Sequence, residues 1–298
     1  MNSRFALIGP GRVGSAIARA LYEKDYQPVA IIGRNLEASQ DACRFIGCDE
    51  KLATMALPAA GAADLILLAV PDDAIAGVAT QLQERDIAAS GSILMHFSGV
   101  HPAAIMHHPK RRALLFSLHP LLPFADRQQA FERLSMAPYI GEGDTSAQPV
   151  AAALCAALGG QFERIPTAKK PLYHAAACLA SNYLVTLMAE ATTLLLQCGI
   201  DRNRGETLLL PLLQATLENV AVHGTQQGLT GPIVRGDVGT LAAHLQALEI
   251  SPTGQLDLYC LLGSRTVLLA EGSGRLSTSK AETIRKLFIK RNFTNKIT

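Results

Sequence analysis

The first half of the chain alternates short apolar runs with stretches whose apolar residues recur every three to four positions. Residues 4–8, 28–32, 64–70, 92–97, 113–118, 136–140 and 161–165 read as strands. Residues 12–23, 36–45, 72–82 and 150–158 read as helices between them. Residues 64–70 (DLILLAV) show no polar alternation, as expected of a strand covered on both faces. Strands alternating with helices predict a parallel sheet with helices on both faces.

The pattern changes near Pro166, beyond which no run reads as a strand. The spacing predicts a long helix from Pro171 to Cys198, stopped by Gly199, and further helices over 204–223, 238–248, 253–269 and 279–290. A length of 298 residues fits two ordinary domains. The expected division is an α/β domain, residues 1–165, and an all-helical domain, residues 166–298. Residues 172–200 hold no Lys or Arg and a single acid, Glu190, over a length that could cross a bilayer. His174, Ser181, Asn182, Thr186 and Gln197 interrupt that run, and the expectation is a central buried helix rather than a membrane span.

Composition narrows the classes. Hydrophobic residues are 49% and charged residues 17%, which excludes a disordered chain. A net charge of +2 argues against a dedicated nucleic-acid binder. The seven Lys or Arg and one acid of residues 275–298 read as a solvated helix face with a frayed tail. Cysteines at 43, 48, 155, 178, 198 and 260 form no Cys-x-x-Cys pair, and the histidines between 96 and 119 place no H-x-x-x-H pair on a predicted helix. No metal site is expected. The N-terminus shows no secretory pattern, and together with the unpaired thiols this points to the cytoplasm.

Gly9-Pro10-Gly11-Arg12-Val13-Gly14 matches G-x-G-x-x-G after a strand and before a helix, the context a dinucleotide site requires. Gly9 permits the turn, Gly11 lets the backbone approach a pyrophosphate, and Gly14 lets helix and sheet pack closely. Arg12 and Val13 open the helix whose amides face the anion. The second strand ends in Gly33-Arg34-Asn35, where an NAD site usually has an acid. Arg34, with Asn35, suits the extra phosphate of NADP, and NAD is the less favoured cofactor. Val70-Pro71, Ser98 and His119 end later strands, along the edge where ligands of open α/β sheets bind. In the helical half, His174, Cys178, Ser181 and Asn182 share one helix face, and polar groups on an apolar helix need partners or a cavity. Arg235 is placed to hold a carboxylate or phosphate, while Asp237 reads as a helix N-cap.

The segments GPGRVG, VPDDAI, HFSG, SLHPLLPF, YHAAACLASN and LTGPIVRGD occur in that order over about residues 4–270. With them the sequence resembles Rossmann-like proteins carrying a helical C-terminal domain of unassigned function. These belong to the 6-phosphogluconate dehydrogenase-like group, with ketopantoate reductase, prephenate dehydrogenase and pyrroline-5-carboxylate reductase as relatives. The resemblance implies a 6-phosphogluconate dehydrogenase C-terminal-like all-α domain that dimerises and closes over the nicotinamide. In the β-hydroxyacid dehydrogenase relatives, a helix carries a catalytic Lys and an Asn four residues on. Asn182 matches the Asn, and the Lys position falls on Cys178, which leaves His174 as the substitute acid.

The expectation is therefore an NADP-dependent oxidoreductase passing a hydride between nicotinamide and a small carbonyl, imine or alcohol. His174 acts as general acid or base, histidine ordinarily titrating near neutrality. Asn182 and Ser181 orient the substrate, and His119 and Arg235 hold an anionic group on it. The competing reading is a non-enzymatic dinucleotide sensor or regulatory subunit. The expected partners are a small-molecule substrate and a second copy of the chain, with neither nucleic acid nor membrane.

Overall fold

A computed structural model describes residues 3–292. The first two residues of the N-terminus and the end of the basic stretch, residues 293–298, lie outside them. The strands are β1 (Arg4–Ile8), β2 (Gln27–Ile32), β3 (Ala53–Thr54), β4 (Leu65–Leu68), β5 (Ile93–His96), β6 (Leu114–Pro120), β7 (Pro138–Gly143) and β8 (Gln161–Arg164). They form one sheet in the order β3-β2-β1-β4-β5-β6-β7-β8. The order reverses between β1 and β4, which creates the switch point at which open α/β sheets bind ligands.

Around the sheet run α1 (Arg12–Tyr22), α2 (Leu36–Ile46), α3 (Ile75–Glu84), α4 (Arg127–Arg133) and α5 (Gln148–Ala157). The unalternating apolar run of β4 has its expected cause. Leu65 and Leu67 join the core beneath α1 and α2, while Ile66 and Leu68 join the core beneath α3. Each face of the strand is covered, so neither set of alternate residues is free to be polar.

One pair departs from the parallel expectation, since β7 runs antiparallel to β6. The link between them holds the seven-residue α4 and a short 3₁₀ turn, Leu134–Met136. The Leu121 amide donates to the Pro138 carbonyl at 2.9 Å, so the chain re-enters the sheet at the end it left. β8 then pairs parallel with β7.

By its contacts the chain separates into two compact units, residues 1–182 and 183–298. The last strand ends at Arg164. The first unit runs further because α6 (Lys170–Ala180) bonds back to the sheet through Lys170 and Tyr173. The second unit is all helical and starts one residue into α7 (Asn182–Gln197), followed by α8 (Arg202–Gly228), α9 (Pro232–Arg235), α10 (Val238–Glu249), α11 (Leu256–Gly272) and α12 (Thr278–Asn292). Its core gathers Leu241 and Leu245 of α10, Cys260 and Val267 of α11, and Ile284 and Phe288 of α12. Gly263 lets α11 cross close to the Phe288 ring, where a Cβ would stand 2.6 Å from it.

The helix expected over 171–198 is two helices. Ser181, at φ −119° and ψ −70°, breaks the run between α6 and α7. Nor is it a buried central helix. Leu172, Leu179 and Val185 are 68%, 64% and 71% exposed. Its apolar residues surround the axis, and one chain covers only one side of such a cylinder. Thr167–Gln197 is long and apolar enough to cross a membrane by length and composition. α8 likewise exposes Leu208, Leu210, Leu212, Leu217 and Val222. Its regular part ends at Gly224, whose φ of 72° breaks the helix.

Candidate active site

The glycine turn after β1 is tight on its inner side and bare on its outer side. Gly9 has φ +93° and donates its N–H to the Ile32 carbonyl at 2.9 Å. A Cβ there would lie 2.6 Å from the Ala69 carbonyl oxygen. A Cβ on Gly14 would lie 2.6 Å from the Gly9 oxygen and 2.7 Å from the Ala69 Cβ. Around a Cβ on Gly11, by contrast, no described atom comes within 4 Å. Gly11 is the N-cap of α1, which has no side-chain cap bond and no acid in its first turn. Its first amides therefore face outward, with room for an anion to reach them. Arg12 is exposed there and Val13 half-buried.

Beyond β2, Arg34 is exposed. Asn35 has a local task, its side-chain oxygen accepting the Glu37 N–H at 2.9 Å to cap α2. Val70 and Pro71 follow β4, with the Val70 nitrogen 2.8 Å from where a Gly9 Cβ would stand. Ser98 is buried in the loop after β5. Its amide donates to His96 Nδ1 and its hydroxyl oxygen accepts the His101 N–H, both at 3.1 Å.

A cavity of about 640 Å³ lies within the first unit, lined by the apolar Leu121–Phe124 segment and the face of α6. His119, Tyr173, His174, Cys178, Ser181 and Asn182 supply its polar wall. The face read from helical spacing is thus gathered on one cavity together with His119. Tyr173 and His119 Nδ1 share a hydrogen bond of 2.6 Å. The His119 and His174 rings stand edge to face, their centres 6.0 Å apart. Cys178 Sγ is 4.0 Å from His174 Nδ1. Both Nε2 atoms converge on Gly99, where a Cβ would be 3.0 Å from that of His174 and 3.1 Å from that of His119. No side chain fits at that point.

Behind this wall lies a buried polar layer that sequence reading missed. Lys170 is fully buried and donates from Nζ to Ser117 Oγ at 2.6 Å. Buried Glu142 accepts the Ala103 N–H at 2.6 Å and the Thr167 hydroxyl at 2.7 Å. Loss of hydration pushes Lys170 down to about 8, opposed by the charges of Glu142 and Asp72. Burial pushes His119 down to about 4, with the positive charges of Lys170 and His174 adding to it. Burial therefore favours the neutral imidazole of His119 at pH 7. His96, whose Nδ1 accepts from Ser98 and whose Nε2 lies 3.2 Å from the Pro102 carbonyl oxygen, is pushed by burial to about 3. The only sequence signals for this layer were polar letters inside apolar strands, Ser117 and Glu142, which a two-sided strand does not readily accept.

Arg235 is exposed at the end of α9 in the second unit, and its carbonyl accepts from Lys280 Nζ at 3.3 Å. Asp237 is the cap expected of it, accepting the Thr240 N–H at 3.0 Å and hydroxyl at 2.7 Å.

The strand order, switch point and glycine turn define a Rossmann-like protein with a helical C-terminal region. More particularly, a Rossmann-like domain matches over residues 2–120, and a domain described as of unknown function (DUF2520) over residues 137–266. The two matches follow one another along the chain in that order. No curated protein matches it in sequence. Among solved structures it is similar to a Bacteroides fragilis protein provisionally named as an NADP oxidoreductase. The identity is 22% and the TM-score 0.69, over 88% of this chain and 96% of that one. A Thermotoga maritima protein is similar at 22% identity and TM-score 0.70, over 90% and 98%. Pyrroline-5-carboxylate reductase of Coxiella burnetii is similar at 14% and 0.59, over 96% and 99%. At these identities the likeness is one of fold.

Proposed function

We propose that this protein is an NADP-dependent oxidoreductase acting on a small carbonyl, imine or alcohol. The observation that carries the reading is the turn at Gly9–Gly14, closed by packing on one side and open at Gly11 on the other. That shape serves a ligand whose pyrophosphate must meet the backbone. The names of fold neighbours support it, among them pyrroline-5-carboxylate reductase and an imine reductase from a Pseudomonas species. NADPH, when bound, supplies the hydride. The chain's own residues bind and orient it and manage a proton. Arg34 and Asn35 receive the ribose end, with the Arg34 guanidinium on the 2′-phosphate. Val70, Pro71 and Ser98 border the cofactor along the strand ends. His174 delivers or takes the proton at the substrate heteroatom, Ser181 and Asn182 orient the substrate, and Arg235 meets any anionic group on it.

Calorimetric titration tests the cofactor half. NADPH should bind more tightly than NADH, and Arg34→Ala should weaken NADPH alone by roughly 10- to 100-fold, the worth of charge-assisted bonds. Binding of neither nucleotide sinks the proposal. Against a panel of small keto acids and cyclic imines, His174→Ala should lose roughly 10²–10⁴ in turnover while its NADPH affinity survives. Unchanged turnover removes His174 from the mechanism. NADPH binding without turnover of any panel member favours the sensor reading, in which Cys178 stands where the dehydrogenase relatives have a catalytic Lys.

The proposed oligomer is a homodimer through the helical domain. The exposed apolar residues of α7 and α8 are the surface a second copy would cover. Light scattering on the detergent-free protein should give twice the 31.7 kDa of one chain. A monomer mass refutes the dimer.

A further inference from the structure

Two rungs join α6 to β6. Lys170 Nζ bonds Ser117, and three residues on Tyr173 bonds His119, two residues along the strand from Ser117. A spacing of three on a helix and two on a strand keeps both rungs on facing surfaces. The outer rung lines the cavity, and the inner one is sealed behind it with Lys170 wholly out of solvent. A buried ammonium is costly unless paired, and the proposed mechanism has not used this one.

We propose that Lys170 is a positioning residue: anchored on Ser117 behind the dry wall where Tyr173 holds His119 Nδ1, it helps keep His119 as a hydrogen-bond donor from Nε2 to the substrate's carbonyl oxygen or imine nitrogen. This rests on the oxidoreductase reading of the cavity. The groups facing the pair are known from each element. Glu142 on β7 and Asp72 after β4 favour the Lys170 charge. His96 on β5 is kept uncharged by burial, with Lys170, His101 and His119 acting in the same direction. On α6, His174 adds to the effect of Lys170 on His119. Tyr173 is pushed by burial up to about 12, so its hydroxyl keeps its proton and, in the proposed tautomer, donates it to His119 Nδ1. The imidazole hydrogen then sits on Nε2, on the side that the missing Cβ of Gly99 leaves clear. A charged His119 would carry a hydrogen on Nδ1, turning the Tyr173 hydroxyl from donor to acceptor, and would place a second positive charge near Lys170. A neutral imidazole polarises a heteroatom without surrendering its proton, which leaves proton delivery to His174.

The test is nitrogen-15 NMR of the histidine side chains in the full chain, without cofactor or substrate. In the wild type His119 should show the Nε2–H tautomer and stay neutral from pH 8 to 5. Lys170→Met should raise its titration midpoint by roughly one pH unit, and Ser117→Ala, which frees Nζ, should raise it by less. An Nδ1–H tautomer in the wild type overturns the proposal, and so does an unmoved midpoint in the variants. If Lys170→Met fails to fold, the wild-type tautomer and Ser117→Ala still decide. Failure of the oxidoreductase reading would appear instead as absent NADPH binding, with the histidine titrations unaffected.

Discussion

Gly11→Ala should melt like the wild type and lose dinucleotide binding, whereas Gly14→Val should lose stability first. The two glycines are three residues apart in one motif, and their surroundings are opposite. The methyl group added by Gly11→Ala would enter open space, at a φ of −82° that alanine adopts freely. It would occupy the approach of the pyrophosphate to the α1 amides. Losing two charge-assisted backbone bonds weakens affinity by roughly a hundredfold. At Gly14 the Cβ meets the Gly9 oxygen at 2.6 Å, the Ala69 Cβ at 2.7 Å and Leu7 Cδ1 at 2.8 Å. Two of these belong to backbone or to a one-carbon side chain and cannot swing away. Valine there should cost about 3 kcal/mol and lower Tm by roughly 6–12 °C. Paired calorimetry and thermal unfolding read both effects. Wild-type affinity in Gly11→Ala would show that the turn does not cradle the cofactor. An unchanged Tm in Gly14→Val would refute the packing argument.

Acid should destabilise the first unit well before its carboxylates titrate. His96 and His119 are held at about 3 and about 4, below the ordinary 6.5 of an unfolded chain. Where the folded value is the lower one, the unfolded state binds protons first, so stability is full above pH 6.5 and falls as the pH drops below it. At pH 5 each histidine should cost about 2 kcal/mol relative to neutral pH. Lys170 acts in the same sense at the other end. Its folded value of about 8 lies below the ordinary 10.5, so its contribution improves as pH rises from 8 towards 10.5. Urea midpoints at pH 7, 6 and 5 measure the acid loss, and His119→Gln should make the decline shallower. A flat profile across that window would mean that neither histidine is buried in solution as described.

What the sequence settled by itself is what lies within one turn or one strand. The strand at Leu65–Leu68 was legible because two covered faces leave no place for a polar residue. The glycine turn was legible because its three tasks fall within six consecutive residues. The shared face of His174 and Cys178 followed from helical period, and the cavity that receives it also takes Ser181 and Asn182 from beyond the helix break. Asp237 was readable as a cap because a cap acts three residues away.

Tertiary structure decided the rest. Lys169 and Lys170 are the same letter twice, yet the first is exposed and the second wholly buried. One step of helix rotation aims Lys170 at Ser117, 53 residues earlier in the chain. The reversal of β7 depended on which end of the sheet α4 returned to, and local propensity does not encode that. The uncovered apolar faces of α7 and α8 were unreadable for the opposite reason. Hydrophobic pattern states that a surface must leave water, but not whether its own chain will be the one to cover it. Local chemistry therefore specified the glycine turn and the helix face of His174, while the buried charge behind them arose where distant segments meet, through distances that no sequence window contains.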